Sequence, residues 1–378
     1  MPINLLSSVD NSNITGLFTI RPIFGIDLLN SFPRTFVNAQ GTAFKSPLSS
    51  EPTAIGGIVL DDETQKPLAF LAASDGIRSF TYEESISKNL DGALLMINGL
   101  TDVKVLKPFD LENTTKIALV KGSMLLVIDD ESGDTESSAT LSADGLELEL
   151  TEVANQTAAV VSTGTQGVNL VLAITDLEPR VVNFQLPGNT KNISVVEKLG
   201  SQAGPFVVAY DGLDMLSIVN LLDVNASVKT INAGADKISK IDYAGRFTVN
   251  GMITDVLIGA TQRGVLLFDL NNLTSIPIND DLKIKNKIED LLVIDGIAYL
   301  ALGVNGISAL SVGALIDSKD TTPATIATFK KNKLTVIKSS GKEEILTKTL
   351  NANKLADSKP FLLSSGLDNN LTVIRVSP

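Results

Sequence analysis

The chain has 378 residues, 44% hydrophobic and 20% charged, with a net charge of −12; this excludes a disordered chain, which needs low hydrophobicity and dense charge. It has no cysteine and no histidine, which excludes disulfide-stapled scaffolds and Ser-His-Asp or Cys-His catalysis, and removes the usual ligands of zinc and iron–sulfur centres. The acidic balance, the absence of Trp and only 4 Tyr argue against nucleic acid, whose phosphates call for clustered Lys and Arg and whose bases call for aromatic platforms.

In chain order, residues 1–30 begin MPINLLSSVDNSNITG, which lacks the basic and long apolar regions of a signal peptide. Two apolar runs follow, Ile14–Ile20 and Ile23–Leu29, broken by Pro22. Residues 31–54, with SFPRTF and KSPLSSEP, read as an irregular excursion. From residue 55 to 378 one unit recurs: an apolar strand with small residues, a tight turn, and a second apolar strand. Its copies are Leu68–Tyr82, Lys116–Asp130, Thr157–Ile174, Phe206–Val219, Asp255–Leu270, Ile297–Val312, Thr325–Ser339 and Phe361–Val376. β-Branched residues bounded by turn residues are the hairpin signature. No run reaches the ~18 apolar residues of a membrane-spanning helix.

The turn markers Gly76, Ser123, Val168, Asp214, Gly264 and Gly306 recur every 42 to 50 residues. That is the length of a four-stranded propeller blade, and a β-sandwich has no such period. The expectation is therefore an all-β chain forming a single β-propeller. The first strands of the hairpins, as in LAFLAAS and DVLIGAT, carry small or apolar residues and are expected innermost, where blades converge. The segments between hairpins, Leu146–Val153 (LELELTEV), Val103–Leu106 and Ile193–Val196, are expected as outer strands, because alternation suits a strand with one wet face. Lys330 and Lys331 fit a solvated position better than a crowded axis. This favours seven blades, with Thr325–Ser339 as the outer strands of the blade begun at Ile297; the alternative is eight, with that segment as a blade of its own. The last hairpin lacks outer strands. Ile14–Ile20 or Ile23–Leu29 are expected to pair with Leu371–Ser377 and close the ring, since closure removes aggregation-prone edges.

Two units carry a family resemblance. DLLVIDGIAYLALGVNGISALSVGAL (Asp290–Leu315) and MITDVLIGATQRGVLLFDLNNLTS (Met252–Ser275), the latter with Phe268-Asp269-Leu270 as its apolar-Asp-apolar end, resemble the LVIVD-type propeller repeat. The resemblance implies a binding or cell-surface module and brings no catalytic residues with it.

The acidic loop Asp129–Glu136 has calcium-type oxygens but not the EF-hand order, and reads as a solvated inter-strand loop. Among the hairpin strands only Asp211 and Asp255 bring acid near the expected axis, so no central metal is expected. Gly164–Gly167 and Gly303–Gly306 are hairpin turns, without the Lys-Ser/Thr or the following helix of a phosphate loop. Charge is uneven: Asp317–Pro378 has a net charge of +4 and the rest −16. Lys330, Lys331, Lys333, Lys338, Lys342 and Lys348 are the candidate partner face, for an acidic protein or the acidic face of another copy. The functional expectation is a non-catalytic propeller acting as a protein-binding, adhesion or assembly module, with no cofactor, metal or nucleic acid. The alternative is a carboxylate- or calcium-dependent propeller enzyme, a lactonase or a glycan-active protein.

Overall fold

The strands are joined by turns that tolerate left-handed backbone. Ala154-Asn155, Asn250-Gly251 and Asp295-Gly296 have positive φ at both positions, and each closes a two-residue hairpin. This mirror-image turn has the twist that antiparallel strands need. The computed structural model describes residues 43–45, 53–59, 67–74, 76–81 and 95–98, most of 100–277, and 287–319. It further describes residue 352 and the segments 324–329, 331–337, 343–349, 354–358, 361–365 and 370–375. Its strands form seven four-stranded antiparallel sheets and one separate two-stranded hairpin.

The first strand in the chain is β1 (Ala43–Lys45). Six sheets follow, each of four consecutive strands in sequential order, arranged as propeller blades. The first holds β2 (Ala54–Val59), β3 (Pro67–Ala73), β4 (Gly76–Thr81) and β5 (Leu95–Asn98); the second β6 (Val103–Leu111), β7 (Thr114–Lys121), β8 (Met124–Asp129) and β9 (Thr135–Thr140). The third holds β10 (Glu147–Val153), β11 (Gln156–Ser162), β12 (Val168–Leu172) and β13 (Arg180–Phe184); the fourth β14 (Asn192–Leu199), β15 (Gln202–Tyr210), β16 (Met215–Asn220) and β17 (Lys229–Asn232). The fifth holds β18 (Ile238–Val249), β19 (Met252–Thr261), β20 (Val265–Asp269) and β21 (Thr274–Ile276); the sixth β22 (Asp290–Ile294), β23 (Ile297–Ala301), β24 (Ile307–Ser311) and β25 (Thr325–Phe329). A short helix, α1 (Val312–Ser318), is inserted before β25 and is capped by the Ser311 hydroxyl.

β26 (Lys331–Ile337) and β27 (Glu343–Thr349) pair only with each other. The seventh sheet joins β28 (Lys354–Ser358), β29 (Phe361–Ser365) and β30 (Asn370–Arg375) to β1, in the register Ala43↔Thr372, Phe44↔Leu371, Lys45↔Asn370. Two expectations need correction here. The N-terminal strand on β30 comes from the stretch read as an irregular excursion, because three residues, Ala-Phe-Lys, are too short to show alternation. Ile14–Ile20 and Ile23–Leu29 lie outside the described residues. Of Thr325–Ser339, only β25 is an outer strand of the sixth sheet; β26 leaves it for β27.

A larger correction concerns the axis. The strands that pack on one another around it are β2, β6, β10, β14, β18, β22 and β28, and β28 lies against both β22 and β2. They precede the apolar hairpins. The hairpin strands expected innermost are second in their sheets and are buried on both faces: β7 from Thr115 to Val120, β11 from Ala158 to Ser162, β19 from Thr254 to Thr261. Their side chains fill the gaps between neighbouring sheets, as where Val256, Ile258 and Ala260 join one core with Ala298, Leu300 and Leu310. The alternating segments, LELELTEV among them, are innermost because their wet face is the axial channel.

The Asp that ends the resembling repeat has a local role. Asp269 Oδ1 accepts the N–H groups of Asn271 and Asn272, each at 2.9 Å, and the Thr254 hydroxyl. Asn220 and Ser311 end the third strands of their sheets in the same way, accepting from Leu222 and Ala314. A side-chain acceptor at that point turns the chain out of the strand. Among the described residues no helix is long and apolar enough to cross a membrane.

Candidate functional site

An innermost strand has a partner on one edge only, so its other edge presents backbone N–H groups that need acceptors. Here carboxylates of the preceding sheet supply them. Ile193 N–H donates to Glu147 Oε2 at 3.0 Å, Val293 N–H to Asp242 Oδ2 at 2.7 Å, and Leu355 N–H to Asp290 Oδ2 at 2.9 Å. The third sheet is thus tied to the fourth, the fifth to the sixth, and the sixth to the seventh. Asp242 and Asp290 also cap their own strands, accepting from Tyr243 N–H at 2.8 Å and Leu291 N–H at 2.9 Å.

Lysines complete the belt. Lys107 Nζ lies 2.9 and 3.1 Å from the two Glu149 oxygens, joining the second sheet to the third. Lys240 Nζ is ion-paired with Glu147 Oε1, across from the fifth sheet to the third. Together these groups line a cavity of about 360 Å³ at the channel end where the innermost strands begin. Each of the seven strands contributes: Ala54, Lys104, Glu147, Asn192, Lys240, Asp290 and Lys354 all face it. In total five lysines (104, 107, 191, 240, 354) and five acids (147, 149, 242, 290, 357) line it. A second cavity of about 390 Å³ shares Ile55, Lys107, Leu292, Leu355 and Asp357 with the first and runs on between Gly56, Gly57 and Pro108. The first sheet thus walls the channel with Gly56 and Gly57, where the second, third, fifth, sixth and seventh sheets bring charge.

Burial and mixed charge perturb the channel groups. Burial, and after it the negative charge of Glu149, pushes the Asp242 carboxyl up to about 7, against the Val293 and Tyr243 N–H groups and Lys107. Burial pulls the Lys240 ammonium down, helped by Lys107 and Lys354 and opposed by Asp290 and Asp242. Burial also works against Lys107, but there Glu149 wins and the ammonium titrates above its ordinary range.

The residues singled out from sequence lie elsewhere. Asp211 Oδ1 accepts the N–H groups of Leu213, Asp214 and Met215 at 2.8–3.1 Å, so it shapes a turn. Asp255 is fully buried and holds Gly200 N–H and the Tyr243 hydroxyl, both at 2.7 Å, with Arg246 at 3.3 Å. The acidic loop is tied down by the buried Lys116, 2.7 Å from both Asp129 and Glu136. The Lys116 bond and the Ser132 N–H lower the Asp129 carboxyl to about 2. Gly164–Gly167 and Gly303–Gly306 close hairpins through Gly167 N–H to Gly164 O and Gly306 N–H to Gly303 O. Lys331, Lys333 and Lys348 stand in the β26–β27 hairpin, where Lys331 is opposite Thr349, Asn332 opposite Lys348, and Lys333 opposite Thr347. Lys330, Lys338 and Lys342 lie outside the described residues.

Sequence reasoning missed the axial belt. One signal was present: five of the seven segments before the apolar hairpins carry Lys, Glu or Asp at nearly the same offset, at Lys104, Glu147-Leu-Glu149, Lys240-Ile-Asp242, Asp290 and Lys354. Among the described residues no three or more acids cluster closely enough to share a metal ion. No family model and no curated protein matches the chain.

Proposed function

We propose that the chain is a non-catalytic β-propeller serving as a protein-binding, adhesion or assembly module, and that its seventh sheet is a seventh blade closing the ring. Closure is supported by β28, which lies against both β22 and β2, and by β1, which occupies the outer edge of β30. The observation that carries the non-catalytic reading is how the axial acids are used. Glu147, Glu149, Asp242 and Asp290 all accept bonds from backbone N–H groups or lysines that hold adjacent sheets together. A general base needs an acceptor free to take a substrate proton. Resemblance to the LVIVD-type repeat points the same way.

The docking face is the basic C-terminal segment carrying Lys330, Lys331, Lys333, Lys338, Lys342 and Lys348, in a chain otherwise strongly acidic. Its partner is an acidic protein surface, with the acidic remainder of a second copy as the first occupant to test. Sedimentation velocity should show self-association at ~20 mM salt that dissolves at ~500 mM, where the Debye length falls below ~5 Å. The K331E/K333E/K348E variant should stay monomeric in both, with an unchanged circular dichroism spectrum. A monomer at every salt concentration that also ignores poly-glutamate would overturn the docking face.

A further inference from the structure

The axial cavity carries an inference independent of the C-terminal docking-face lysines. The formal charges there are matched, but the lysines are less engaged by the protein than Glu147, Glu149, Asp242 and Asp290. Glu147 serves Lys240 and Ile193, Glu149 gives both oxygens to Lys107, Asp242 takes two N–H groups and the Ser194 hydroxyl, and Asp290 takes two N–H groups. Each lysine ammonium offers three N–H donors. Lys107 and Lys240 spend theirs only on Glu149 and Glu147, and among the described residues Lys354 meets no acceptor. The ammonium groups of Lys107, Lys240 and Lys354 therefore keep N–H donors to offer a ligand, Lys354 all three of its own. They project from β6, β18 and β28, on different sides of one cavity.

We propose that the axial mouth binds a small multivalent oxyanion, a di- or tricarboxylate or a phosphate, bridged between the ammonium groups of Lys107, Lys240 and Lys354. Several anionic oxygens on one compact body suit donors spread around a ring better than a single carboxylate does. The volume of about 360 Å³ lies at the small end of ligand cavities. The second cavity adjoins it through Ile55, Lys107, Leu292, Leu355 and Asp357. Such a ligand would also relieve the repulsion of Lys107 and Lys354 on Lys240.

Isothermal titration calorimetry at pH 7 tests this on the full chain, with citrate and inorganic phosphate as probes and acetate at matched ionic strength as the control. Citrate or phosphate should bind and raise the melting temperature where acetate does neither, and the preferred probe tells carboxylate from phosphate recognition. K354M removes an ammonium with no structural partner, so it should fold normally and lose about tenfold or more in affinity, as expected for a charge-assisted bond. K229M, on the exposed outer strand β17, should bind like the wild type. Three results would overturn the proposal: no heat with either anion, equal effects of acetate, or unchanged affinity in K354M. Tighter binding of a dication such as ethylenediamine would do so as well, since it would show that the acids, not the lysines, hold the free capacity.

Discussion

If axial carboxylates hold neighbouring sheets together, removing one should loosen the whole propeller. Asp290 is the cleanest place to ask. Its Oδ2 accepts Leu355 N–H at 2.9 Å and its Oδ1 accepts Leu291 N–H at 2.9 Å. Asp290→Ala strips the acceptor from the free edge of β28 and from the start of β22. A hydrogen bond to a charged group contributes about 1.5–3 kcal/mol. The Leu291 bond is local, and channel water replaces part of what is lost, so the net cost should be about 2 kcal/mol. Urea unfolding at pH 7.5 reads it directly. With a slope of about 3–4 kcal/mol/M for a chain of this size, the midpoint should fall by about 0.5 M. Asp290→Asn keeps one carbonyl acceptor and should fall between the two. A midpoint for Asp290→Ala within about 0.1 M of wild type would refute the claim that the belt joins the sheets.

Deleting residues 1–46 removes β1 and bares the edge of β30; relative to deletion of residues 1–40 it should lower the melting temperature and increase aggregation measured by light scattering. Asp129, lowered to about 2 by Lys116 and the Ser132 N–H, contributes stability that is present above pH ~4 and lost as pH falls through about 2; it should amount to about 2 kcal/mol and be missing from the acid-unfolding profile of Asp129→Asn. Asp242 is raised to about 7, so between pH ~4 and ~7 the unfolded chain releases a proton that the folded chain keeps. Wild-type stability should therefore decline across that window relative to Asp242→Asn and level off above it. Gly167 has φ +83°, and a Cβ there would sit 2.2 Å from Phe184 O and 2.7 Å from Leu186 N; Gly167→Ala should cost at least ~2 kcal/mol in thermal or urea unfolding.

What could be read from the sequence, and what could not, follows from where water reaches a propeller. The second strands described, such as β7, β11 and β19, are covered on both faces, so they appear as apolar runs bounded by turns, and the hairpins and their spacing were legible. The first strand has one bare edge and a face only partly covered. It carries charge because that edge must be satisfied from the side, by a neighbour's Glu or Asp, and because its outer face meets the channel. In sequence, Glu147-Leu-Glu149-Leu looks the same as an outer strand with one solvated face. Only the order of strands within a sheet separates the two, and that order is fixed by contacts between units about 45 residues apart. β1 failed to show for a different reason: three residues carry no period. The charged residues of Val103–Leu106 and Leu146–Val153 were therefore present but assigned to the rim. Placed at the axis, they imply a rule that unites packing with binding. Strand-edge N–H groups consume the acids, the acids consume part of the lysines, and the donors left over at Lys354 and its neighbours decide what the channel can hold. A substitution that frees an acid, such as Ile193→Pro, which removes the N–H bound by Glu147, should then shift the mouth away from anions. Citrate affinity should fall in that variant although no lysine is touched. An unchanged affinity would mean that the ammonium groups act on the ligand without regard to the belt.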